Sequence, residues 1–228
     1  MKVISFSLWG QNLKYLMGAL KNASLAKEFY PDWVCRFYVG RCVPFSIVHR
    51  LQKMENVQVV QKPKFGDWTG MFWRFEAILD EEVEIMICRD TDSRVGERER
   101  AAVEEWLSSD KGVHIMRDHP AHGFPVLGGM WGMKKGAIPN FDSLLKNFSQ
   151  ENKYGTDYEF FAKIIYPVVQ NNSMIHDEFF GGVPFPTQRE GWDFVGKVYD
   201  ENEQTVIEHT EHLKRHYENK KSNIINRQ

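Results

Sequence analysis

The run Val3-Ile4-Ser5-Phe6-Ser7-Leu8 is short and largely apolar, which predicts a strand. After a turn at Gly10-Gln11-Asn12, the apolar residues Leu13, Leu16, Met17, Leu20 and Ala23 recur at helical spacing. They predict an amphipathic helix over 12–29, ended by Pro31. Trp33 to Val39 predicts a second strand, Pro44 opens a helix reaching about Glu55, and Val57-Gln58-Val59-Val60 predicts a third strand. Residues 69–80 read as helix, and Val83 to Cys88 as a fourth strand. That last run is nearly continuously apolar, as for a parallel strand covered on both faces. Strand and helix alternate throughout, which predicts an open α/β sheet.

The second half is less regular. Glu97 to Leu107 predicts a helix, with Glu97 and Glu99 at its positive end and Ala102, Val103, Trp106 and Leu107 on its core face. Val113-His114-Ile115-Met116 predicts a short strand, 117–127 a loop, and Gly128 to Met133 a further strand. Helices follow at about 140–148 and 156–166, then a strand at Ser173 to His176, a Gly/Pro loop at 181–191 and a polar helix over 201–228. No repeat or long linker divides the chain. The pattern predicts a single domain over 1–228, made of halves 1–95 and 96–200 and a C-terminal helix and tail, 201–228. The basic residues of that tail, Lys214, Arg215, Lys220, Lys221 and Arg227, read as a solvated face, with an anionic-surface anchor as the alternative.

Composition narrows the class. The 228 residues are 42% hydrophobic, enough for one domain with a sizeable core. A net charge of −2 provides no field that favours nucleic acid or a membrane surface. Aromatic residues make up 14%, a supply that serves the core and can also stack on a sugar or a base. Cys35, Cys42 and Cys88 are odd in number and form no disulfide-like framework, which suggests a reducing compartment. The start shows no basic-then-apolar leader, and no apolar stretch approaches the roughly 20 residues of a membrane span. The expectation is a cytoplasmic protein with no transmembrane segment.

The fourth strand ends in Arg89-Asp90-Thr91-Asp92-Ser93-Arg94. In an open α/β sheet, ligands gather beyond the carboxyl ends of the strands. In an extended segment, side chains at i and i+2 share a face, so Asp90 and Asp92 can address one site while Thr91 points elsewhere. Two same-face acids suit a hard divalent cation that keeps places for water and phosphate oxygens. The cation would also offset their mutual repulsion. The alternative is a surface loop whose aspartates pair with Arg89 and Arg94. Phosphatases of the haloacid dehalogenase class also carry Asp-x-Asp after a strand, but normally after the first one. Here about 80 residues of strand-helix units come before it.

Those units resemble the opening of GT-A glycosyltransferases, notably glycogenin-like ones. Tyr15-Leu16-Met17-Gly18-Ala19 is similar to the family's Tyr-x-x-Gly-Ala at the first helix. Phe72-Trp73-Arg74-Phe75 resembles the Arg-Phe helix before its Asp-x-Asp, and Leu127-Gly128-Gly129-Met130 the strand after it. Tyr154-Gly155-Thr156-Asp157 resembles the acidic start of a late helix, and Ile175-His176-Asp177 the late histidine. The likeness runs from residue 3 to about 180 and implies a mixed, Rossmann-type sheet flanked by helices.

It also implies transfer of a hexose or deoxyhexose from a nucleotide sugar, a UDP-sugar by the resemblance, with Mn(II) or Mg(II). The acceptor would be a glycan, a protein or a small molecule, with glycan or surface-polysaccharide synthesis as the setting. Residues 1–95 would form the donor-binding half, with Ser7, Leu8, Trp9, Tyr15, Arg74, Asp90 and Asp92, joined by Gly129 from the second half. Asp90, Asp92 and His176 would hold the metal. Asp157, in the acceptor half, would serve as general base if the reaction inverts, or orient the donor sugar if it retains. The sequence departs from glycogenin-like enzymes after His176, where no Gly-then-Lys follows.

Other readings stay open beside these. Arg74 suits a diphosphate through its planar fork, or it snorkels over aromatic neighbours. Asp157 is also a plain helix N-terminal acid. Trp9 lines a nucleotide site or closes the core. In the loop after the fifth strand, Arg117, Asp118 and His119 are candidates for contact with donor or acceptor. A zinc site from His114, His119 and His122 lacks a nearby Cys and has poor spacing. The rival functions are a metal-dependent phosphatase or nucleotidyltransferase on the same aspartates, and a non-catalytic nucleotide-sugar or glycan-binding protein.

Overall fold

The structure is a computed structural model that describes residues 1–225, so Arg227 of the basic tail lies outside the described residues. Its strands are β1 (Lys2–Leu8), β2 (Trp33–Val39), β3 (Val57–Gln61), β4 (Ile85–Arg89), β5 (Val113–Arg117), β6 (Met130–Lys134) and β7 (Ser173–Asp177). They form one sheet in the order β3-β2-β1-β4-β6-β5-β7. β6 runs antiparallel to β4 and β5, and every other neighbouring pair is parallel. This is the expected mixed α/β sheet. The chain winds outward from β1 through β2 to β3, then returns to lay β4 along the other edge of β1. The loops leaving β1 and β4 therefore part, and the crevice of the fold opens between them.

The alternation of β1 sends Ile4, Phe6 and Leu8 to one face. There they pack with Leu16, Ala19 and Leu20 of α1 (Leu13–Phe29) and Trp106 of α3 (Glu97–Leu107). Phe6 stacks on Phe37 of β2 at 4.6 Å and 9°. α2 (Phe45–Gln52) covers the same side through Ile47, Val48 and Leu51. On the opposite face Val3, Met86, Cys88, Trp131 and Met133 pack against Phe72, Phe75, Phe160 and Phe161. α4 (Phe141–Asn147) closes that side with Phe141 and Leu145.

Three expected elements differ in detail. The helix expected over 69–80 is a 3₁₀ segment, Trp68–Leu79. Its three-residue period brings Phe72 and Phe75 onto one line, with ring centroids 5.6 Å apart. The helix expected at 156–166 is α5 (Thr156–Phe160), a π-helical turn (Phe161–Ile165) and α6 (Tyr166–Val169). Pro167 explains the break. It has no N–H for the carbonyl of Lys163, so the register widens and the Tyr166 amide reaches back to Phe161. The polar C-terminal helix, α7 (Ile207–Ile225), starts later than expected. Among the described residues no helix is long and apolar enough to cross a membrane.

Candidate active site

The segment after β4 is a tight turn, not the extended piece expected. The Ser93 amide and hydroxyl donate to the Asp90 carbonyl at 3.3 and 2.9 Å. Neither flanking arginine pairs with the aspartates. Arg89 is buried on the α1 side, where Nε donates to both Glu99 oxygens at 3.1 Å. Arg94 clasps Glu203, its Nη2 2.8 Å from Oε1. The aspartates are thus left to other partners in the crevice.

Asp90 meets Arg74. The guanidinium is buried, and Nη1 lies 2.5 Å from Asp90 Oδ1 and 3.2 Å from the Arg89 carbonyl. Nη2 faces Asp157 Oδ2 at 3.5 Å. Serines on β1 hold this arginine by its backbone: Ser5 Oγ donates to the Arg74 carbonyl at 2.7 Å, and the Arg74 amide donates to Ser7 Oγ at 3.0 Å. Burial opposes the charge of Arg74, but Asp90 and then Asp157 outweigh it and raise its pKa. Burial likewise pushes the Asp157 carboxyl up, against the pull of Arg74. Asp157 Oδ1 and Arg74 Nε are buried without a hydrogen-bond partner, an arrangement that natural sites usually reserve for a function or a ligand.

Two glycines make the room. A Cβ at Gly128 would strike Asp157 Oδ2, and one at Gly129 would strike the Asp90 carboxylate. These glycines lie just ahead of β6, which begins at Met130 rather than at the expected Gly128.

Asp92 meets Lys14, a residue the sequence did not single out. Lys14 Nζ lies 2.8 Å from Asp92 Oδ2, and the ammonium sits 4.5 Å from the centre of the Tyr15 ring. Asn12 caps α1 just before it, accepting from the Lys14 amide at 3.0 Å. Burial and the neighbouring Asp90 raise the Asp92 pKa, and Lys14 opposes both. Asn22 was missed too. Its buried amide donates to the Thr91 carbonyl at 3.1 Å and the Ser93 carbonyl at 2.8 Å, and its Oδ1 accepts from the Val95 amide at 3.0 Å. Gly18 has a physical reason as well, since the Thr91 carbonyl lies where its Cβ would be. From the far end of the sequence, the Tyr199 amide donates to the Asp92 carbonyl at 2.8 Å.

Comparison with solved structures finds chains of similar architecture. A glycosyltransferase involved in the glycosylation of the major capsid of PBCV-1 superposes with a TM-score of 0.51 at 12% identity, over 77% of this chain and 80% of that one. Residues 1–349 of S. aureus TarS superpose with a TM-score of 0.52 at 15% identity, over 78% of this chain and 58% of that one. A 4-diphosphocytidyl-2C-methyl-D-erythritol synthase from Anaerococcus prevotii superposes with a TM-score of 0.50 at 13% identity, over 82% and 92%. The fold is of the GT-A type. No protein-family model matches the sequence, and no curated protein matches it.

Within this GT-A frame, the other expected site residues have partners of their own. His176 is not brought to the aspartates, because β5 and β6 stand between β7 and β4. Its imidazole is engaged on both sides, Nδ1 with His114 Nε2 at 2.8 Å and Nε2 with Glu105 Oε2 at 3.2 Å. Leu8 is a core residue of the α1 face, and its carbonyl accepts from Gly40 at 2.9 Å. Trp9 is half-buried and packs edge-on against Trp68 and Trp73, at 6.4 and 6.2 Å.

The loop after β5 fastens the C-terminal segment. Arg117 pairs with Asp177 at 2.6 Å. Asp118 is fully buried between Arg98 at 2.8 Å and Arg189 at 2.6 Å, and accepts from the Val195 amide at 2.9 Å. His119 Nε2 meets the His209 carbonyl of α7 at 2.9 Å.

Among the described residues no three His, Cys, Asp or Glu side chains are arranged to hold a cation by themselves. The donor set does suit one that borrows ligands from its substrate. Asp90 and Asp92 offer hard oxygens from one turn, and the charge of Asp90 raises the cost of charging Asp92. Mg(II)-type ions are commonly bound by one or two carboxylates together with phosphate oxygens.

Proposed function

We propose that this protein is a glycosyltransferase that moves a sugar from a nucleoside-diphosphate sugar, a UDP-sugar by its resemblance, to an acceptor hydroxyl in glycan synthesis. The observation that carries this reading is the meeting of Asp90 and Asp157 on Arg74, with Asp92 beside them, where the loops after β1 and β4 part. Arg74 is fixed on its backbone and on two carboxylates, so its charge needs no rearrangement to stabilise the departing diphosphate. Lys14 brings a second positive charge to the mouth. Half-exposed Asp90 is placed to accept from a donor hydroxyl. A divalent cation, Mn(II) or Mg(II), held by Asp92 and Asp90, would supply Lewis-acid neutralisation of the leaving diphosphate. Asp157 has an unpaired oxygen and a raised pKa, properties of a general base for the acceptor hydroxyl in an inverting reaction. In a retaining reaction the same carboxylate would orient the sugar.

A nucleotidyltransferase is the second reading, favoured by the superposition on the diphosphocytidyl-methylerythritol synthase across 92% of that chain. Product identity separates the two. Glycosyl transfer releases an intact nucleoside diphosphate, whereas nucleotidyl transfer releases pyrophosphate. A thermal-shift panel of nucleotide sugars with and without Mn(II) should find the donor, since a ligand stabilises the form it binds. Chromatography of the products then decides between the readings. Release of pyrophosphate from a nucleoside triphosphate, or an Asp92→Asn variant that turns over donor like the wild type, would overturn the first.

A further inference from the structure

Beside Asp157 lies a group of aromatic side chains that neither the core nor the donor reading uses. Phe124 is 44% exposed and Tyr154 is 70% exposed. The Phe124 ring stacks on Tyr158 at 4.3 Å and 25°. Tyr154 stands edge-on to Tyr158 at 6.1 Å and 85°, and edge-on to Trp68 at 5.3 Å and 85°. Aromatic faces left in water contribute little to folding, so a contiguous exposed set marks a binding surface.

We propose that Phe124, Tyr154 and Tyr158 form the acceptor platform, and that the acceptor is a neutral sugar ring. This inference rests on the glycosyl-transfer reading and names the acceptor class for it. Placement is the first argument. Tyr158 directly follows Asp157 in α5, and Phe124 lies on the segment that leads into Gly128 and Gly129, where the carboxylates of Asp157 and Asp90 are housed. Burial, then Tyr154, then the charges of Asp157 and Asp90 push the Tyr158 phenol pKa up, so Tyr158 is close enough to both carboxylates to feel them. Rigidity is the second. Gly155, at φ 75°, turns the chain so that Tyr158 packs over it, and a Cβ there would stand 2.8 Å from the Tyr158 ring. The Tyr154 and Tyr158 hydroxyls are 3.4 Å apart, which ties the two rings together.

Charge is the third argument. Lys153 pairs with Glu151 at 2.9 Å and with Glu159 at 3.0 Å, and Lys163 takes the other oxygen of Glu159 at 2.7 Å. The charges of this segment are thus matched among themselves, since Lys153 and Lys163 both already hold a carboxylate. The negative faces of the rings attract the weakly positive C–H groups on one side of a pyranose, while its hydroxyls stay free to reach the carboxylate and water.

The test uses the full chain with Phe124→Ala and Tyr154→Ala variants, both at exposed positions where folding should survive. UDP with Mn(II) is titrated first by calorimetry. Saturation-transfer NMR then measures binding of the methyl pyranosides of glucose, galactose, mannose and N-acetylglucosamine. The expected result is a glycoside signal from the wild type that falls at least about 5-fold in each variant, as for loss of an aromatic anchor, with UDP affinity unchanged. Either of two results overturns the proposal: wild type that binds UDP and none of the glycosides, or variants whose UDP affinity falls alongside, which would make these rings part of the nucleobase site. A wild type that binds glycosides but no nucleotide sinks the transfer reading and leaves a sugar-binding surface.

Discussion

Lys14 reaches Asp92 across 2.8 Å, joining the first turn of α1 to the turn that follows β4. Arg74 is held between two carboxylates, whereas the Lys14 ammonium shares a single one, Asp92, and so keeps donors for a phosphate. Replacing it with Met should weaken UDP binding about 10–100-fold, the worth of a hydrogen bond to a charged group. UMP, which lacks the outer phosphate, should lose far less. Calorimetric titration of both nucleotides checks this, and equal losses for the two would remove Lys14 from the diphosphate.

Arg74→Met should be costly to the fold itself. It leaves Asp157 buried with no counter-charge, and breaking such a pair from one side costs about 3–5 kcal/mol. Adding Asp157→Leu should restore much of the loss, because the orphaned charge goes with it. Urea unfolding of the two variants measures both steps. A single variant as stable as the wild type would show that Arg74 does not neutralise Asp157.

Gly129→Ala tests the geometry without touching a charge. The added methyl meets the Asp90 carboxylate and must displace it. A shift of about 1 Å in a reacting group costs about 100-fold in rate. Turnover should fall by that order, while the far-ultraviolet spectrum remains that of the wild type. Full activity in this variant would mean that Asp90 can move freely.

Acid should loosen the C-terminal segment. Burial pushes His119 down to about 4 and His122 to about 3, and holds His114 well below the usual histidine range. His119 and His122 face His209 and His212 of α7, Phe194, and the Arg189–Asp118 pair. In the unfolded chain these imidazoles take up protons near pH 6.5. Between there and about pH 4 the unfolded form binds more protons, so stability falls as pH falls. Urea midpoints at pH 7.5, 6.5 and 5.5 should drop in that order, and His122→Gln should flatten the slope. A flat wild-type profile would place these histidines in water.

Much of the architecture could be read from the sequence because burial leaves a periodic trace. The strands of the first half and α1 follow from apolar spacing alone. The order of the strands does not, and it decides which side chains can meet. His176 sits on the expected strand, but two other strands separate it from Asp92. Arg74, Asp90, Asp157 and Gly129 converge as the order of the motifs implied. Lys14 and Asn22 escaped notice because a polar residue on an amphipathic helix looks solvated until its partner, here about 70 residues away or more, is placed beside it. Asp118 reads as a ligand contact because its partners, Arg98 and Arg189, lie 20 and 71 residues away in sequence. The extended geometry assumed for Asp90 and Asp92 gave way to a turn, since the Ser93 hydroxyl bonds backward to the Asp90 carbonyl.

The bend that carries the aspartates is held by α1 on one side and, through Tyr199 and Glu203, by the strand of chain leading to α7 on the other. The turn that carries the acids is thus pinned by two parts of the chain far apart in sequence, so loosening the segment around Tyr199 and Glu203 should also loosen the turn.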